Sequence, residues 1–138
     1  MARKLTAAEF ELLKKAGYPE KAIEYYQNKL NVDTIDDSDI TLSYTGPCGD
    51  TMRLYLKIND DRIVDAKFLY LGCPGAASSG SAMTMIVRGK TLEEAKKFTE
   101  DDVLRELGGL PDTKLHCTKL TITTLRKTVT KYEKETRR

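Results

Sequence analysis

Tryptophan is absent from the 138 residues, and histidine occurs once, cysteine three times and proline four times. The single histidine, His116, leaves no second base of that type anywhere in the chain. Three cysteines, odd in number and far apart, do not make a secreted disulfide framework and fit a reducing compartment where thiols stay free. An excess of either charge is missing too: 23 basic residues face 21 acidic ones, a net charge of +2. Composition therefore makes no case for nucleic acid or an acidic membrane as partner. Apolar runs are short and broken by charge, so no segment reads as membrane-spanning. Met1-Ala2-Arg3-Lys4 is basic, but Glu9 and Glu11 follow with no apolar h-region, which argues against a signal or transit peptide. A cytoplasmic location is expected.

What is present suits a globular chain: 40% hydrophobic and 32% charged residues, and a length that predicts a single domain over 1–138. Thr6-Ala7-Ala8-Glu9 has capping-box spacing, and Phe10, Leu13 and Ala16 share a face up to Gly17, which predicts an N-terminal helix over about 5–16. Pro19 at a first helical position opens a second helix carrying Ala22, Ile23, Tyr26 and Leu30. The acidic link from Asp33 to Asp39 is not a calcium loop, since Leu42 and Cys48 stand where glycine and glutamate would be needed. The period then changes to two, with Ile40, Leu42 and Tyr44, then Met52, Leu54, Leu56 and Ile58, then Val64, Ala66, Phe68 and Tyr70. Short joins predict an antiparallel three-stranded sheet over about 39–45, 51–59 and 62–71, packed on helices. The fold class is α+β.

Beyond the strands, Ala76 to Val87 reads as a buried helix closed by Gly89, Thr91 to Glu94 as another capping box, and Asp101 to Leu107 as a further helical turn. A long last helix is predicted over about 114–134, although six threonines within it are poor helix formers. Its basic residues Arg126, Lys127, Lys131, Lys134, Arg137 and Arg138 read as a solvated helix end complementing the dipole, or as a contact for an acidic partner.

The chemistry lies in three connections. Cys48 sits between the first two strands, Cys73 where the third ends, and Cys117 beside His116 in the first turn of the last helix. Thiolate and imidazole suit soft and borderline metals, and helix N-termini favour the ionised thiol. Three thiolates with a fourth ligand from His116 or Asp50 would make one site. The bland alternative is three separate small buried residues, and with no C-x-x-C the spacing supports a metal only weakly. Gly75-Ala76-Ala77-Ser78-Ser79-Gly80-Ser81 lacks the lysine of a phosphate loop, and Ala76 to Gly80 is a damaged nucleophile elbow in too short a chain. A Cys117–His116 catalytic dyad is not expected, because neighbours on a helix point about 100° apart.

Five segments, Tyr18 to Tyr26, Cys48-Gly49-Asp50, Gly72-Cys73, Gly89 to Ala95 and Lys114-Leu115-His116-Cys117, together resemble the IscU/NifU-type iron–sulfur cluster assembly scaffolds. The likeness is colinear over about 18–132, leaving 5–16 as an N-terminal extension. It implies a transient [2Fe–2S] cluster, built from iron, sulfur from a cysteine desulfurase and electrons from a donor such as a ferredoxin, then passed to recipient apoproteins. Cys48, Cys73 and Cys117 would be the thiolate ligands, Cys117 the sulfur acceptor, Asp50 the residue of metal entry and lability, and His116 the alternative fourth ligand. The chain itself would not be an enzyme, and a homodimer bridging a cluster is left open. Leu110-Pro111-Asp112-Thr113-Lys114 departs from the Leu-Pro-Pro-Val-Lys of members served by a dedicated Hsp70-type chaperone, which argues against that partner. Cys73-Pro74-Gly75 departs from the usual Cys-Gly-Ser, and proline stiffens that connection. The distance from Cys73 to Cys117 leaves no room for the insertion of the SufU branch. The alternatives are a zinc-bearing, sulfurtransferase-type persulfide acceptor and a domain whose metal only stabilises the fold.

Overall fold

A computed structural model describes residues 5–136; Met1–Lys4, Arg137 and Arg138 lie outside the described residues. Helix α1 (Ala7–Lys15) starts at Thr6, whose hydroxyl accepts from the Glu9 N–H while Glu9 reaches back to the Thr6 N–H, as the spacing predicts. Helix α2 (Glu20–Asn28) differs in detail from expectation. Pro19 is its N-cap, and Lys29, in a left-handed conformation, ends it before Leu30.

The sheet runs β1 (Ile40–Thr45), β2 (Thr51–Asn59) and β3 (Arg62–Leu71), antiparallel in that order, within a residue of the predicted limits. Asp60 and Asp61, both at positive φ, make the two-residue turn between β2 and β3. One expected core residue is misplaced by the alternating pattern. A bulge lets Ile58 pair with Ile63 while Lys57 pairs with Asp65, so Val64 is the extra residue. Val64 is 50% exposed and Ile63 is fully buried, because an inserted residue shifts the side-chain parity before Ala66 and Phe68 resume it.

Helix α3 (Pro74–Val87) begins two residues earlier than expected, with Cys73 as N-cap and Pro74 in the first turn, where a missing N–H costs nothing. Its small residues let it lie against the sheet: a methyl group at Gly80 would run into the Phe68 ring. The serines singled out by their resemblance to phosphate and nucleophile loops are buried within this helix, and Ser78 donates to the Pro74 carbonyl at 3.0 Å. Short helices α4 (Leu92–Lys96) and α5 (Glu100–Leu107) follow, the first opened by the Thr91–Glu94 capping box.

A 3-10 turn over Asp112–Lys114 precedes α6 (His116–Thr136), so the last helix starts two residues later than predicted. Its threonines are accommodated by burial. Thr121, Thr124 and Thr128 each donate to the carbonyl four residues back at 2.7–3.0 Å, so their hydroxyls are satisfied inside the core. Helices α3 and α6 pack on one face of the sheet over Met52, Leu54, Leu56, Phe68, Met83, Leu125 and Val129. No described helix is long and apolar enough to cross a membrane.

Candidate metal centre

Three connections meet at one end of this frame. The β1–β2 turn brings Cys48 and Asp50, the β3–α3 junction brings Cys73, and the start of α6 brings His116 and Cys117. Asp50, Cys73 and Cys117 offer donor atoms all within 4.8 Å of one another, as do Cys48, Asp50 and His116. Asp50 belongs to both groups. A chain of close approaches runs through the site: Asp50 Oδ2 to Cys73 Sγ at 3.7 Å, Cys73 Sγ to Cys117 Sγ at 3.6 Å, and Cys117 Sγ to His116 Nε2 at 3.7 Å. The sulfur separation is that of two free thiols sharing a proton, well beyond the ~2.05 Å of a disulfide.

The last of these contacts corrects an expectation. His116 and Cys117 do meet side chain to side chain, because His116 occupies the first helical position and its ring reaches across the helix start rather than projecting from a helix interior.

Glycine makes the packing possible at two points. A Cβ on Gly75 would lie 3.0 Å from Cys117 Sγ and 3.5 Å from Cys73 Sγ, and one on Gly72 would lie 2.6 Å from the Asp50 carboxyl carbon. Burial is graded, with Cys117 fully buried, Cys73 half-buried, and Cys48 and His116 exposed.

The thiol pair is electrically asymmetric. The Cys73 thiol is lowered to about 5 by the hydrogen bond from Cys117, against the cost of burial, with help from the Ala76 and Gly75 backbone N–H groups and the Lys114 cation. Cys117 is driven strongly upward by its bond to Cys73, by burial and by the charges of Cys73 and Asp50. At neutral pH the metal-free pair therefore holds one proton, on Cys117, and one negative charge, on Cys73. Surroundings account for the choice: the Gly75 and Ala76 backbone N–H groups and the Lys114 cation favour charge on Cys73, while Cys117 is fully buried and faces the charges of Cys73 and Asp50.

Tyr18 is a neighbour that sequence reasoning missed as part of the site. It is 6% exposed, is hydrogen-bonded by the Gly75 backbone, and has its hydroxyl raised to about 12 by burial and then by the charges of Cys73 and Cys117. Nothing in its spacing separates it from a core aromatic.

The model of the NifU-like N terminal domain matches residues 17–138. The chain belongs to this family. Among relatives of this NifU-like domain, the iron-sulfur cluster assembly scaffold protein IscU 1 of Archaeoglobus fulgidus is 42% identical over 116 residues, covering 83% of this chain and 76% of its own length. The iron-sulfur cluster assembly enzyme IscU of Drosophila melanogaster is 42% identical over 109 residues, covering 75% and 70%. In fold, the chain is like a solved protein from Fervidobacterium islandicum, described as a putative iron-sulfur cluster assembly scaffold protein for the SUF system. Its TM-score is 0.66 at 24% identity, covering 81% of this chain and 96% of that one.

Proposed function

We propose that the chain is a scaffold on which a transient [2Fe–2S] cluster is assembled on Cys48, Asp50, Cys73, His116 and Cys117 and then handed to recipient apoproteins. The observation that carries this reading is the convergence of those five side chains from three separate connections into two overlapping donor groups. The names of the relatives support the same class of work. Sulfur is delivered by a cysteine desulfurase, in which catalysis resides, and electrons by a donor such as a ferredoxin. Thiolates hold iron firmly, whereas a carboxylate or one imidazole completes the site weakly, which favours release. Asp50, common to both donor groups, suits the entry of iron, and the same donors would take zinc in the cluster-free form.

Sulfur transfer to Cys117 requires its thiol to ionise, which the resting pair opposes because the charge sits on Cys73, 3.6 Å away. Separation of the two sulfurs removes that opposition, and Cys117 then gives its proton to water. The resulting Cys117 thiolate attacks the outer sulfur of the desulfurase persulfide; a new S–S bond forms on Cys117 as the old one breaks, and the desulfurase cysteine leaves as thiolate. Because Cys117 is buried, its thiol must become accessible for this step.

Anaerobic reconstitution with iron, cysteine and a desulfurase tests the proposal. About two irons and two acid-labile sulfides should bind per site; a folded protein that takes up neither would rule it out. Serine replacement of Cys48, Cys73 or Cys117 should remove the cargo and leave the fold. Collapse of thermal stability in all three variants would point instead to a metal that only stabilises the domain.

A further inference from the structure

Strand β1 is an edge strand, and α6 packs over it on the face of the sheet, with Lys131 reaching the Thr41 carbonyl. Between them lies a groove of about 570 Å³ with Leu42 in its lining and Arg126, Lys127, Lys131 and Lys134 along its walls. Among the described residues no ion pair to any of these four cations is found. Glu135 is the one carboxylate in the lining. Three of the cations are held by groups without charge. Lys131 Nζ donates to the Thr41 carbonyl at 3.1 Å, Lys127 Nζ lies 5.5 Å from the centre of the Tyr44 ring, and Arg126 donates to the Phe98 carbonyl at 2.8 Å. Lys127, Lys131 and Lys134 fall at i, i+4 and i+7, on one side of the helix.

The strand supplies the second half of the surface. Gly46 N–H bonds to the Asp50 carbonyl at 3.0 Å, closing a hydrogen-bonded pair at the base of the β1–β2 turn. Counting back by twos, Tyr44, Leu42 and Ile40 direct their backbone groups to β2, and Thr45, Ser43 and Thr41 direct theirs to the free edge. The Lys131 contact on Thr41 agrees with that parity. Free N–H and C=O groups in alternation match another peptide chain. They do not match a phosphate or a lipid headgroup, which the carbonyls would repel.

We infer that the β1–α6 groove docks an acidic segment of a partner protein, added as an extended strand along Ser43 and Thr45. Alternate side chains of such a strand face one way. Acidic residues at every second position meet the α6 lysines, with their methylene groups against Leu42, and the residues between them face away from α6.

The test uses the full chain without iron or sulfide, so its outcome is independent of cluster assembly. A fluorescently labelled peptide of about eight residues alternating Glu and Val is titrated with protein and followed by anisotropy and amide NMR. Binding should be saturable, weaken as salt rises, and shift the Ser43 and Thr45 amides. Lys127→Glu with Lys134→Glu should weaken it about tenfold or more; Lys127→Gln with Lys134→Gln should do so by less, and serves if the reversals disturb the fold. Backbone N-methylation of alternate peptide residues should weaken it again, which a purely ionic contact would not. Absent binding, equal binding of the N-methylated peptide, shifts confined to other elements, or self-association of the chain through this groove would each overturn the inference.

Discussion

At the scale of single residues, what surrounds each cysteine matters more than its being a cysteine. Cys73 caps α3 and carries the charge; Cys117, buried within α6, carries the proton. In metal-free protein, the ultraviolet absorbance of a thiolate should titrate near pH 5 and vanish in Cys73→Ser. Absence of any thiolate signal at pH 7 in the unmodified chain would contradict the asymmetry. Asp50 is the second residue on which the site turns, shared by both donor groups and 3.7 Å from Cys73. Asp50→Ala removes a hard ligand and a negative charge from among the thiolates. A reconstituted cluster should then survive a chelator severalfold longer, measured as slower loss of visible absorption; faster loss would oppose the argument that this carboxylate confers lability.

At the scale of elements, the β3 bulge separates two apolar neighbours that a period of two would treat wrongly. Ile63 is fully buried and Val64 is half exposed. Ile63→Ala should therefore cost about 2–5 kcal/mol in urea unfolding, and Val64→Ala no more than about 0.5 kcal/mol; the reverse order would mean that the bulge lies elsewhere. The last helix makes a related point. Propensity counts its threonines against it, but four of them face the core, where a hydroxyl bonded to its own helix is tolerated and the methyl group packs. Burial outweighed propensity there.

At the scale of the whole molecule, the thiol pair couples the site to stability. The Cys73 thiol, ordinarily at 9.0, sits at about 5 in the fold, so between pH 5 and 9 the folded chain binds one proton fewer than the unfolded one. Stability from this source rises with pH through that window and is lost as pH falls through 5. Cys117 and Tyr18 are shifted upward, so above pH 9 the folded chain holds protons that the unfolded one has released, and stability falls again. Urea midpoints of metal-free protein should peak near pH 9, and the rise from pH 6 to 9 should disappear in Cys73→Ser. A profile that is flat from 6 to 9 in the unmodified chain would refute the linkage.

By itself the sequence determined what local pattern can determine. Alternating apolar residues located three strands to within a residue, capping boxes at Thr6 and Thr91 located two helix starts, and short joins made the sheet antiparallel. Residue chemistry together with the five motifs named Cys48, Asp50, Cys73, His116 and Cys117 in advance. Tertiary structure alone decided how near those five come, since their meeting depends on three connections spread over half of the chain. It alone decided which thiol holds the proton, because that rests on the contact between the two sulfurs, their burial and the charges around each. It also set Val64 outward, through a bulge that only a partner strand can define, and laid the basic side of α6 over β1. In each case the cause is a contact between residues distant in sequence, whose energy no local pattern records.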